Sequence, residues 1–423
     1  MSSAEPTIKL RFVREFPFQY GANEPADRDE PSDPRYVRIT DVTPNGHLRP
    51  ETFKSLPMRI ARPYLLSDGD LLLARSGATV GKVFMYKSHW GTCCFAGYLI
   101  RFAVDRAKAI PRFVWWYTQS KLWNAEVQLS TIQATIQNVS AERYGEFRMP
   151  LPPLATQKAI ADFLDRKTAA IDALIEKKQK LLDLLAEKRA ALINQAVTKG
   201  LDPNVPMKDS GIPWIGEIPA HWETPQLGHC LARITYGFTC PMPTTDDGPY
   251  MLTANDIRDG FVDYENARKT DAGAAKELTE KCLPRAGDVL LTKDGTLGRI
   301  AVADGSDACI NQSVALLRAN GRLSSSFLSW LLRSSSYQDW MVFDAGGTTI
   351  KHIYITRVVK MTALVPPVSE QAAIVSEAGR IDKLLQRALR GTAGSIERLQ
   401  EYRQALITAA VTGQLDIPDE PTA

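Results

Sequence analysis

The stretches "LPPLATQKAIADFLDRKTAAID" (residues 151–172) and "VPPVSEQAAIVSEAGRIDKLL" (residues 365–385) place the same Pro-Pro pair in front of the same kind of helix start, twice in one chain. Prolines bias the residues before them toward extended geometry and are tolerated in a helix's entry turn, so each pair predicts a sharp exit into a helix. No Gly or Pro interrupts Ala155 to Lys199, a length of some 45 residues or about 65 Å at 1.5 Å per residue. Ile160, Leu164, Ile171, Leu174, Leu181, Leu185 and Leu192 follow a three-four rhythm there, with Lys167, Lys178 and Lys188 at intervening seam positions. A helix this long with one apolar seam needs a partner helix. The second copy offers one through Ile374, Ile381, Leu385, Ile396, Leu399, Leu406 and Ile407, with Gly391 and Gly394 expected to fray or kink it midway.

Working outward, the repeat extends over four landmarks in the same order. "RITDVTPNGHL" from Arg38 faces "TANDIRDGFV" from Thr253, setting Asp41 against Asp256 and Gly46 against Gly260. "GDLLLARSGATVGKV" from Gly69 faces "GDVLLTKDGTLGRI" from Gly287, and "TIQNVS" from Thr135 faces "TIKHIY" from Thr349. Residues 186–202 and 400–416 are identical at 10 of 17 positions. The chain therefore divides into a module at 1–150, a spacer helix at 151–207, a second module at 208–366 and a second helix at 367–423. Short β-branched and apolar runs between Gly, Pro, Asn and Asp clusters predict mixed α+β modules. "FVWWYTQSKLWNAEVQL" from Phe113 and "SFLSWLLRSSSYQDWMVF" from Ser326 each read as one amphipathic helix with its aromatic stripe in the core. The fold class expected is α+β: two mixed modules separated by two long antiparallel coiled-coil helices, with an internal two-fold pseudo-repeat.

Composition bounds the chemistry. With 423 residues and 44% hydrophobic content the chain can hold several cores. No basic segment leads into an apolar one at the start and no long apolar run follows, so a soluble cytoplasmic protein without a membrane span is expected. Six Cys and five His show no metal-ligand spacing, which predicts buried free thiols and no metal. The net charge of +3 is modest, although residues 1–150 hold 14 Arg against 6 Lys, and Arg can serve phosphates and guanine edges bidentately. "GATVGKV" at Gly77 has three residues between Gly and Gly-Lys, then Val83, where a phosphate loop needs four and then Ser or Thr. It reads as a strand and a tight turn. Asp288 and Lys293 share a strand without the second acid of a nuclease, and no nucleophile-base grouping stands out. These residues describe a binding protein without catalytic machinery.

Two modules, each closed by a "PLPPLATQKAIADFLD"-like turn and helix and joined by "MKDSGIPWIGEIPAHWE" (residues 207–223), resemble the DNA-specificity subunit of type I restriction-modification systems over essentially the whole chain. The "KR…LI…AVTKGLDP" helix end belongs to the same likeness, whereas module 1 begins "TIKLRFVREFPFQY" and lacks the "IPAHW" entry, and Gly379 stands where the first copy has Asp165. The resemblance implies target-recognition domains that each read half of a split site on double-stranded DNA, and paired helices that dock two adenine-N6 methyltransferase subunits, with restriction subunits joining that core. It implies no cofactor in this chain, S-adenosylmethionine, ATP and Mg being held by the partners. Candidate DNA-contacting residues are the polar loop positions of the shared landmarks: Arg75, Ser76, Thr79, Lys82, Thr135, Gln137 and Asn138 in module 1, and Lys293, Asp294, Thr296, Arg299, Thr348, Thr349 and Lys351 in module 2. Residues that read different half-sites should differ between modules, while shared ones suit the DNA backbone or the fold. A non-catalytic protein-interaction scaffold and a nuclease or methyltransferase are the competing classes.

Overall fold

The computed structural model describes residues 7–43, 46–131, 138–345 and 352–417. Two compact units cut across the chain order: Met1–Gln179 with Gly394–Ala423, and Lys180–Ala393. In the first, β1 (Thr7–Lys9) pairs with β8 (Arg148–Pro150), and β3 (Arg35–Val37) runs parallel to β6 (Cys93–Phe95). A four-stranded antiparallel sheet has the order β2 (Gln19–Tyr20), β7 (Leu99–Phe102), β4 (Leu71–Ala74), β5 (Val83–Met85). The second unit opens on the hairpin β9 (Met207–Asp209) and β10 (Glu217–Pro219) and repeats the sheet as β11 (Leu231–Tyr236), β17 (Val314–Ala319), β14 (Val289–Thr292), β15 (Ile300–Val302). Beside it, β12 (Thr245–Leu252) runs parallel to β16 (Ala308–Ile310) and adds β13 (Arg268–Lys269) at its edge. The duplication is thus one of topology as well as sequence.

Both faces of each four-stranded sheet are covered, which is why residues 71–74 and 289–291 are apolar at every position. Side chains alternate along a strand. Leu71 and Leu73 join the core under the helices, while Leu72 and Ala74 join the core against β6. Val289 and Leu291 against Leu290 divide in the same way. The Asp that opens each run is structural: Asp70 lies 2.7 Å from Arg101 and Asp288 lies 2.6 Å from Arg318, both carboxylates almost fully buried. Burial pushes the Asp70 carboxyl up, against the opposing pull of the Ser67 N–H and Arg101. Asp41 and Asp256 each accept the backbone N–H three residues earlier at 2.8 Å, closing the same turn twice.

The helical stretches after β7 and β17 differ from the sequence expectation. Each is two helices, Pro111–Thr118 with Lys121–Thr131, and Ser325–Arg333 with Ser335–Asp344. The breaks fall at Ser120, whose hydroxyl accepts the Trp123 N–H at 3.4 Å, and at Ser334, whose backbone is extended. Serine competes for backbone groups in this way and favours helix starts over interiors. The turn lets Trp116 and Trp123 both reach the core.

Each Pro-Pro exit is held by a buried glutamine. Gln157 accepts the Ile110 N–H at 2.8 Å and donates to the carbonyls of Pro152 at 2.8 Å and Lys108 at 3.3 Å. Gln371 repeats the set with the Ser324 N–H at 2.8 Å and the carbonyls of Pro366 at 3.0 Å and Arg322 at 2.9 Å. The junction motif has a related role: the buried Trp222 donates to Glu370 at 3.2 Å and His221 meets the same carboxylate at 2.8 Å, so the hairpin docks on the start of the second long helix. Leu10 and Leu227 occupy the same place in their modules, donating to Phe147 and Met361. Counted from this match, residues 207–223 lie on the N-terminal side of the part of module 2 that pairs with residues 10–150.

The long helices are Leu154–Lys199 and Val368–Val411. In the first unit Ile160, Leu164 and Ile171 share a core with Leu406, Ile407 and Val411, and Leu399 packs against it. In the second, Ile193 meets Ile381 and Leu385, with Leu185 and Leu192 alongside, and Ile374 joins the module core. The segments run antiparallel in both. Ile396 is buried as well. Two seam assignments are corrected: Leu174 and Leu181 are each 43% exposed. The inward positions follow Leu164, Thr168, Ile171, Ile175, Lys178, Leu182, Leu185, Arg189 and Leu192, an unbroken three-four alternation. Lys178 lies on this stripe, while Lys167 and Lys188 are exposed. Ion pairs flank the seam, Arg403 to Asp172 at 2.8 Å and Arg189 to Asp382 at 2.5 Å. The expected fraying at Gly391 and Gly394 is absent, as the second helix runs unbroken through both. Two glycines cost about 2 kcal/mol in helix propensity, which packing at either end of the helix outweighs.

Candidate nucleic-acid interface

The loop that recurs in both modules projects as the β4–β5 hairpin in one and as β14–β15 in the other. Gly81 and Gly298 shape these hairpins. Both have φ near +80°, and a Cβ would lie 2.6 Å from Val127 Cγ1 or 2.5 Å from Gln338 Oε1. Their carbonyls accept the Trp123 indole N–H at 2.7 Å and the Gln338 amide at 2.8 Å. Gly81, the second glycine of the stretch that imitates a phosphate loop, is therefore a packing residue.

At the strand end the two modules place matching positions together with different side chains. Arg75 lies over the Tyr20 ring at 4.8 Å, and Lys293 lies over the Tyr236 ring at 5.3 Å. Ser76 bridges to Asn138, and Asp294 bridges to His352, by antiparallel backbone pairing. Arg75 Nε approaches the Asn138 side-chain oxygen at 3.5 Å. In module 2 Asp294 pairs with Lys293 Nζ at 2.5 Å and with His352 Nδ1. Lys82 and Thr296 are exposed and Thr79 is half-buried; Arg299 reaches the Ile257 carbonyl at 3.4 Å. Thr135, Gln137, Thr348, Thr349 and Lys351 lie outside the described residues. Tyr20, Tyr236 and His352 were not singled out from sequence, although His352 stands opposite Asn138 in the "TIQNVS"/"TIKHIY" alignment.

Clefts adjoin both tips. One of about 820 Å³ runs past Thr79 and Lys82 to Thr40, Arg49 and Asn124. One of about 480 Å³ runs from Asp294 past Asn255, Asn266, Arg268 and Asn311. Amide and guanidinium groups of this kind pair with base edges and phosphates. Among the described residues no cluster of His, Cys, Asp or Glu could hold a metal, and no helix is long and apolar enough to cross a membrane.

The profile of a family described as "Type I restriction modification DNA specificity domain" matches residues 35–183 and again 243–390. The chain belongs to this family. Members similar to it include the type I restriction enzyme EcoBI specificity subunit of Escherichia coli, 25% identical over 302 residues that cover 68% of this chain and 63% of the relative. The MjaVIII specificity subunit of Methanocaldococcus jannaschii is 20% identical over 362 residues, 84% of this chain and 80% of the relative. The chain thus spans somewhat under two thirds of the EcoBI subunit and more of the MjaVIII subunit. In fold it is similar to a chain from a type I R-M system solved to explain complex assembly and conformational transition, with a TM-score of 0.73 at 19% identity, covering 98% of this chain and 99% of that one. The HsdS subunit from Thermoanaerobacter tengcongensis follows with a TM-score of 0.56 at 19% identity and 98% coverage of both. The specificity-domain repeat includes the hairpin of each module and the first part of each long helix.

Proposed function

We propose that this chain is the sequence-reading, non-catalytic subunit of a type I restriction-modification assembly, and that each module reads one half of a bipartite double-stranded DNA target. The observation that carries this reading is the pair of hairpin tips: one backbone arrangement presents Arg75, Ser76 and Asn138 in one module and Lys293, Asp294 and His352 in the other. Equal scaffolds with unequal polar side chains suit two readers of different sequences. The paired long helices set the modules' spacing and carry two copies of a methyltransferase subunit, whose two-fold relation matches the internal repeat, and restriction subunits join that core. S-adenosylmethionine, ATP and Mg act on those partners. In this scheme the chain acts in the cytoplasm, where its DNA is.

The test is a mobility-shift titration of duplex DNA with the purified chain, with and without its methyltransferase partner. Sequence-selective binding by the complex, with no methyl transfer or cleavage by the chain alone, is expected. A complex that forms without any selective DNA binding would establish the scaffold reading in its place.

A further inference from the structure

The two tips differ in one respect that bears on how tightly each grips DNA. Arg75 has a neutral amide beside it, and among the described residues no carboxylate pairs with it. Lys293 at the matching position is held at 2.5 Å by the Asp294 carboxylate, which also receives His352 Nδ1. Side-chain exposure is 17% for Lys293 and 21% for Asp294, so this ion pair is mostly shielded from solvent. Module 1 places the uncharged Ser76 where Asp294 stands.

We propose that Asp294 is an internal stand-in for a DNA phosphate: it neutralises Lys293 in the free protein, so module 2 gains its backbone contact only when DNA displaces the carboxylate, whereas Arg75 of module 1 is available at once. The inference rests on the reading of the hairpin tips as the DNA-facing surface. A carboxylate with one oxygen on the Lys293 ammonium and the other on the His352 imidazole occupies the two donors a phosphate would otherwise use. Non-specific binding comes almost wholly from such phosphate contacts. A masked cation therefore contributes little on arbitrary DNA and adds its contact only where the remaining groups of module 2 fit the bases. Asp294 is in this sense a selectivity residue for its half-site, and module 1 supplies more of the sequence-independent grip.

The experiment measures the salt dependence of binding by the assembled methyltransferase complex on two duplexes, one carrying the target mapped by methylation sequencing and one of random sequence. Each phosphate contact contributes about 0.9 to the slope of log affinity against log salt, which is roughly a 3.5-fold change in affinity between 50 and 200 mM. Asp294→Asn should steepen the slope on random DNA by up to about that amount and raise affinity for it, narrowing the ratio of target to random binding. Ser76→Asp, which installs the carboxylate in module 1, should flatten the slope by a similar amount. Arg75→Ala should flatten it on both duplexes, and Lys293→Ala on the target far more than on random DNA. If Arg75→Ala behaves so but Asp294→Asn leaves slope and ratio unchanged, or weakens binding, the masking role is overturned while the DNA-facing assignment stands. If neither Arg75→Ala nor Lys293→Ala alters binding, the assignment of the tips fails and the masking role with it. Methylation of the module 1 half-site by the Asp294→Asn complex controls for folding.

Discussion

Replacing Gln157 by Met removes a clamp whose cost can be worked out from its contacts. Gln157 is fully buried and satisfies one N–H and two carbonyls, at 2.8, 2.8 and 3.3 Å. Methionine keeps the volume, so the loss is one of hydrogen bonding. At about 1 kcal/mol net per bond the variant should lose about 3 kcal/mol, with more if the Ile110 N–H finds no other acceptor. Because 1.4 kcal/mol is a factor of ten, amide exchange across the start of helix Pro111–Thr118 should speed up by roughly a hundredfold. Hydrogen exchange read by mass spectrometry measures this directly and avoids the assumption of a single unfolding step, which a chain of two compact units need not meet. Gln371→Met should do the same around Ser324 and leave the Ile110 region alone, since the two glutamines share no partner. Exchange within about threefold of the wild type at Ile110 would refute the clamp.

The seam correction makes Ile171→Asp destabilising by about 3–5 kcal/mol, a buried carboxylate without a partner, while Leu174→Asp should leave the unfolding midpoint nearly unchanged; denaturant melts of both decide. Gly81→Ala and Gly298→Ala should each lose about 1–3 kcal/mol, through strain at positive φ and through the close Val127 or Gln338 contact, with equal stability of variant and parent counting against the packing role. Burial pushes the Cys93 and Cys309 thiols up to about 11 and Cys94 to about 12, so maleimide at neutral pH should label the exposed Cys240 first. Rapid labelling of the Cys93–Cys94 strand in the native protein, seen by peptide mapping, would contradict its buried place.

Much of the fold was legible because the duplication supplies its own control. Landmarks that recur in register had to mark the same strands, turns and helix ends, and the matching order of the two four-stranded sheets follows from them. What escaped depended on spatial detail. Leu181 stands beside Leu182 and Leu184 beside Leu185, so a run of leucines fits two seam phases; only the positions of Ile171, Ile175 and Arg189 relative to the second helix select one. Ser120 and Ser334 sit inside strongly apolar periodic stretches, and a single serine does not announce a break there. Of the candidate site, Arg75 and Lys293 were legible as polar residues at the end of an apolar strand. Tyr20 and Tyr236 lie far from them in sequence, and the strand pairing of β2 with β7 and of β11 with β17 brings each ring under its cation.

The central claim is that one module reads one half-site. The direct measurement is methylation sequencing of a host carrying the complex after residues 1–150 are replaced by the matching module of a relative. One half of the methylated target should change while the other half and the gap between them stay the same. A target altered in both halves, or in neither, would contradict the account.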